Sequence, residues 1–122
     1  MTGDQLIRQA LLLLNYTNHR GEIDRCGSEE LFRRGTAIIN SVLADVLPIE
    51  GKPITALRTL NDELPAEEHT AAAVMPYGVA MLLAQSEGDG TNQQLMASIY
   101  NQKRSSIRRP AERVTDCIPS LL

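Results

Sequence analysis

Ser28-Glu29-Glu30-Leu31-Phe32-Arg33-Arg34-Gly35-Thr36-Ala37-Ile38-Ile39-Asn40-Ser41-Val42-Leu43-Ala44-Asp45-Val46-Leu47-Pro48 is the stretch on which the fold turns. Leu31, Gly35, Ile38, Ile39, Val42 and Val46 fall at i, i+4, i+7, i+8, i+11 and i+15, the spacing of one helical face. Ser28 is a good N-cap, Glu29 and Glu30 suit the first-turn dipole, and Pro48 stops the helix. Gly35 inside the pattern reads as a packing position.

The same grammar recurs on both sides. Thr2-Gly3-Asp4-Gln5 has the form of a capping box, and Leu6, Ile7, Ala10, Leu11, Leu13 and Leu14 continue it as a first helix to about Asn15. Four consecutive leucines make that helix apolar on most sides, so it is expected to be covered all round, by its own core or by a second subunit. Asn15 to Gly27 reads as a polar loop. Pro48 to Pro65 reads as a long irregular stretch. Ile54, Leu57, Leu60 and Leu64 are expected to anchor it to the core, with room for a short two-stranded piece.

A third helix is expected after Pro65, with Met75, Val79, Leu82, Leu83 and Ser86 on one face. Pro76 requires a kink or a fresh start. Gly88-Asp89-Gly90 ends it. Thr91 and Gln94 form a second capping box, opening a fourth helix lined by Leu95, Met96, Ile99, Tyr100, Lys103 and Ile107, which Pro110 ends. The prediction is a single all-α domain over 1–122. It is a small bundle of about four helices with one long irregular loop and an extended tail over 110–122. The third and fourth helices form a hairpin.

Composition agrees with a folded chain. Of 122 residues, 43 % are hydrophobic and 22 % charged, so wholesale disorder is not expected. No apolar run approaches the roughly 18 residues of a membrane span, and no membrane partner is expected. Nor does the N-terminal region have the basic start of a signal peptide. A formal charge of −3 argues against a dedicated nucleic-acid binder, and only 3 % aromatics leaves few stacking platforms. Asn101 to Arg113 is the exception, with Lys103, Arg104, Arg108, Arg109 and Arg113 against Glu112 alone. That segment reads either as a solvated helix end or as an electrostatic contact to an acidic protein or to nucleic acid. The apolar tail end, Ile118 to Leu122, is expected to pack on a neighbour or back on the core.

Chemistry-bearing patterns are sparse. Glu87 to Asn92 mixes carboxylates and glycines as a calcium loop does. The twelfth position is Ser98, which cannot close the site, so a helix-to-helix turn is expected, with Asp89 and Thr91 satisfying free amides. His19 and His69 lack partners at ligand spacing. Cys26 and Cys117 read as separate reduced thiols. There is no phosphate loop, nucleophile elbow or Cys/His pair, so no catalytic residue, metal or cofactor is expected.

Tyr77-Gly78-Val79-Ala80-Met81-Leu82-Leu83-Ala84, Gly88-Asp89-Gly90, Asn92-Gln93-Gln94-Leu95 and Tyr100-Asn101-Gln102-Lys103-Arg104 together resemble the head-tail connector proteins of long-tailed bacteriophages and prophages. Gln9 to Leu14, Ile38 to Pro48, Ile54 to Leu57 and Asp62 to Pro65 fit the same pattern, so the likeness spans most of the chain. It implies a small helical neck adaptor without enzymatic activity. It also implies a ring, typically twelve-fold, seated on the portal protein and joining the DNA-filled head to the next neck or tail-completion protein. The virion neck, and the bacterial host cytoplasm during assembly, are the locations it implies. A ring needs two different faces on each subunit. The surfaces expected to meet a second copy or the portal include Leu11, Leu12, Tyr77, Met81, Tyr100, Lys103, Arg104, Arg108 and Arg109. The basic segment is expected either to meet an acidic portal surface or to line a channel for DNA passing without sequence specificity. The competing reading is a small helical packaging or regulatory module that uses residues 103–113 on nucleic acid.

Overall fold

A computed structural model describes residues 1–14 and 25–107, with side chains for 1–14 and 33–107. Five helices lie among the described residues: α1 (Gly3–Leu13), α2 (Arg25–Val46), α3 (Glu68–Ala73), α4 (Met75–Ser86) and α5 (Gly90–Arg104). The all-α bundle expected from the sequence is what forms.

The capping box of α1 is present in both directions. Gln5 N–H donates to Thr2 Oγ1 at 3.3 Å, and Thr2 N–H donates to Gln5 Oε1 at 2.9 Å. Leu6, Ile7, Ala10, Leu11 and Leu14 are buried, one face of the helix. Leu12 is 53 % exposed and Leu13 is exposed as well, so the leucine run is covered on one side and not all round.

α2 starts at Arg25, three residues before the expected Ser28 cap, and takes in Cys26 and Gly27. A glycine costs a helix only about 1 kcal/mol, which 22 residues of propagation absorb. Its buried face is Gly35, Ile39, Val42, Leu43 and Val46; Ile38 sits at the edge, half-buried. A Cβ on Gly35 would lie 3.0 Å from Ile7 Cδ1, so this glycine is the close crossing of α1 and α2.

The expected third helix is two. Val74 leaves helical register between α3 and α4, and Pro76 stands in the first turn of α4, where a missing N–H costs nothing. Of the two alternatives for Pro76, the fresh start is the one adopted. α4 is apolar nearly all round, and it contacts every other described helix. It is therefore the helix that must be enclosed. Val79, Ala80, Leu83 and Ala84 are fully buried there.

The irregular stretch is fastened by polar groups as much as by leucines. Asn40 grips the backbone of Leu57 from both sides: Leu57 N–H donates to Oδ1 at 2.7 Å and Nδ2 donates to Leu57 O at 3.2 Å. Leu57 and Leu64 are buried, Leu60 is half-buried, and Ile54 is fully outside the core. The short pairing joins this stretch to the N-terminus, through a bridge between Thr2 and Glu63 and bonds from Asp4 N–H to Leu60 O and Leu64 N–H to Met1 O. α3 has no cap of its own. The buried carboxylate of Glu50 takes that place, accepting from Glu67 N–H at 3.1 Å and from Thr70 Oγ1 at 2.7 Å.

Gly88 turns α4 into α5 at φ 72°, the left-handed conformation that favours glycine at a helix end. The cap of α5 is Asp89 and not the expected Thr91: Asn92 N–H donates to Asp89 Oδ1 at 3.2 Å. Asp89 lies one residue before the helix, while Thr91 is already inside it. α5 ends at Arg104, short of Pro110, and Ile107 is buried just beyond it.

Candidate interaction surface

The C-terminal turn of α5 gathers four of the residues singled out in the sequence. Tyr100 and Arg104 project from α5 towards the C-terminal turn of α2, where they meet Asp45. Arg104 Nε donates to Asp45 Oδ2 at 2.6 Å and Nη2 donates to Oδ1 at 2.9 Å, a two-pronged fit of guanidinium to carboxylate. Tyr100 OH donates to the same Oδ2 at 2.6 Å. Lys103 and Tyr77 form the adjoining pair, with the ammonium 5.2 Å from the ring centroid, within cation–π range.

The geometry depends on Gly78. A Cβ there would stand 2.7 Å from Tyr100 Cε1, so only a bare backbone lets the ring lie flat against α4 while its hydroxyl reaches α2. Tyr100 is buried, whereas the Asp45 and Arg104 side chains are 38 % and 41 % exposed.

Burial pushes the Asp45 carboxyl upward, but the bonds from Arg104 and Tyr100 outweigh it and hold the carboxyl below its ordinary value. Burial and the neighbouring carboxylate move the Tyr100 hydroxyl the other way, well above its ordinary value. Hydrogen bonding to Asp45 raises Arg104 further still. The cluster is thus an anion held between two donors. It contains no nucleophile beside a base, and what it can do is fix one helix to another.

The remaining candidates lie elsewhere. Leu11 is fully buried in the core between helices, so it cannot be a contact to another molecule; the helical period puts it on the inner face and its neighbour Leu12 on the outer. Met81 is half-buried on α4. Arg108, Arg109 and the 110–122 tail lie outside the described residues, as do His19 and Cys117. His69 is exposed on α3. Glu87 to Asn92 is the turn and cap described above. Among the described residues no group of three or more His, Cys, Asp and Glu is placed to hold a metal, and no helix is long and apolar enough to cross a membrane.

Sequence reasoning passed over Asp45. The available signal was its place: an acid in the last turn of a helix opposes the dipole and calls for a cation nearby. It also placed Leu95 on the lining of its helix, yet Leu95 is 52 % exposed, because Met96 and Tyr100 set the inner face. A groove between α2 and α4 is lined by Arg34, Ile38, Ser41, Leu82 and Gln85, and Arg34 also pairs with Glu87 at 3.4 Å.

Comparison with known protein families, with curated proteins and with solved structures found no match to this chain.

Proposed function

We propose that this chain is a structural adaptor of a phage neck, a ring subunit that sits under the portal and joins the DNA-filled head to the tail. The observation offered for this reading is that large apolar side chains stand exposed on separate elements. Leu12 and Leu13 end α1, Ile54 lies in the long stretch after α2, and Leu95 stands on α5, all exposed among the described residues. A cyclic ring joins two unlike faces of each subunit, and apolar side chains left exposed on separate elements are candidates for that use. The likeness of the helical segments to head-tail connectors points the same way. The cluster at the end of α5 suits a fixed platform better than a reaction centre, and the reading includes no enzymatic step.

Electron microscopy of a lysate from the parent phage or prophage lacking this gene tests the proposal. Filled heads and tails present but unjoined are the expected result. Intact, infectious virions would overturn the adaptor reading and bring forward a nucleic-acid role for residues 103–113. Within the adaptor reading, Arg108→Glu with Arg109→Glu weakens docking on the portal.

A further inference from the structure

We infer that the outer face of α5 is the surface on which a second copy of this chain lays the outer face of its α1. The inference rests on the adaptor reading above for its ring, and names the contact that builds it.

Beyond Gly90, the exposed residues of α5 are Thr91, Gln94, Leu95, Ser98, Asn101 and Gln102. The helical period puts all six on one arc, and none carries a charge. The exposed residues of α1 are Gln5, Gln9, Leu12 and Leu13, again one arc and again uncharged. A soluble surface is ordinarily about a quarter to a third charged. Other elements follow that rule, with Arg33 on α2, Arg58 and Glu63 in the long stretch, and Glu67 and Glu68 at the start of α3. Depletion of charge is the compositional mark of an interface core. The charges that α1 and α5 do contain each have a partner within the chain. Asp4 and Arg8 pair at 2.9 Å, Lys103 lies 5.2 Å from the Tyr77 ring centroid, and Arg104 is held by Asp45 at 2.6 Å.

The chemistry of the face selects its occupant. A charged partner surface would lose water there and find no counterion, whereas leucines and neutral amides meet without that cost. An amide side chain both donates and accepts, so two rows that carry glutamines satisfy one another. Among the described residues, the outer row of α1 is the other helix face made of glutamine and leucine. α1 has 11 residues and α5 has 15, so the shorter lies within the length of the longer. Within one chain both helices pack chiefly on α4 and both rows stay exposed, so the match is made between copies. A contact between unlike surfaces repeats from copy to copy and closes into a ring where the rotation allows.

The test uses the purified full chain, sized by chromatography with light scattering at rising concentration. Wild type is expected to self-associate. Leu12→Glu and Leu95→Glu each place a charge on one of the two faces, and each is expected to weaken self-association at least about tenfold. Thermal unfolding is expected to stay the same, because neither side chain is in the core. An equimolar mixture of the two variants separates this contact from others. Each supplies the face that the other has lost, so a pair of chains and nothing larger is expected. Gln9→Glu and Gln94→Glu repeat the scheme should a leucine variant unfold. Self-association untouched by either charge overturns the inference, as does a mixture that stays monomeric or a wild type that never associates. Phage lysates lacking the gene judge the adaptor reading separately. Unjoined heads and tails there, with a monomeric mixture here, would retain the adaptor and discard this contact.

Discussion

Gly78 and Tyr100 are the pair in which a single atom decides a tertiary contact. The 2.7 Å separation that a Cβ would face leaves no room, so Gly78→Ala must displace the ring or the helix. We expect a loss of about 1–3 kcal/mol in denaturant unfolding, the usual penalty for overpacking, although alanine is the better helix former. Tyr100→Phe keeps the ring and removes only the bond to Asp45, for about 1 kcal/mol. A Gly78→Ala protein as stable as wild type would show that the ring is not held there. The pH dependence of the same cluster has a defined sign. Asp45 titrates below its ordinary value in the fold, so its contribution is present above the unfolded carboxylate range, near about pH 4, and is lost as pH falls through the folded value. Tyr100 is raised, so its contribution is present below about pH 10 and lost as pH rises beyond it. The stability difference between wild type and Asp45→Asn should accordingly be flat near neutrality and shrink at acid pH. A difference that grows in acid would contradict the cluster's assignment.

Elements here depend on side chains borrowed from other elements. α3 has only six residues, too few to be stable by itself, and its start is held by Glu50 from the turn after α2. Glu50→Ala leaves the Thr70 hydroxyl and the Glu67 N–H without their acceptor. The expected loss is about 1–3 kcal/mol, with early amide exchange across residues 67–74. The long stretch after α2 depends in the same way on Asn40. Asn40→Ala removes both bonds to Leu57 and should expose residues 54–60 to exchange and proteolysis before the bundle unfolds. Global unfolding that leaves no early step would show that the buried leucines alone hold this stretch.

At the scale of the whole molecule, the neighbours Leu11 and Leu12 separate folding from assembly. Leu11→Ala opens a cavity beneath α1 and is expected to cost about 2–5 kcal/mol. Leu12→Ser touches no core contact and should shift stability by no more than about 0.5 kcal/mol. On the adaptor reading it nevertheless weakens ring formation, as Leu95→Ser on α5 does. Size-exclusion chromatography with light scattering, beside thermal unfolding, distinguishes the two effects. Ring formation unaffected by both exposed leucines would remove the surfaces on which the assembly reading stands.

The helical segments, the order in which they occur and the punctuation at Thr2 and Gly88 follow from the sequence alone, because a 3.6-residue period and a bare Cα act within a few residues of themselves, while Pro76 was legible only as a kink or a fresh start and the split into α3 and α4 was not. Gly35 as a packing position was legible for the same reason. Three further things were not legible. Which of Leu11, Leu12 and Leu95 turns inward depends on where α4 lies, and a chain apolar at four successive positions does not declare one face. The start of α2 at Arg25 and the substitute cap of α3 by Glu50 reflect packing that overrides weak local preference. The cluster of Asp45, Tyr100 and Arg104 joins residues 55 and 59 positions apart, and no local spacing encodes such a meeting. Only the tertiary structure decides it, because α4 must first bring α2 and α5 to its two sides, and Gly78 must leave room for the ring between them.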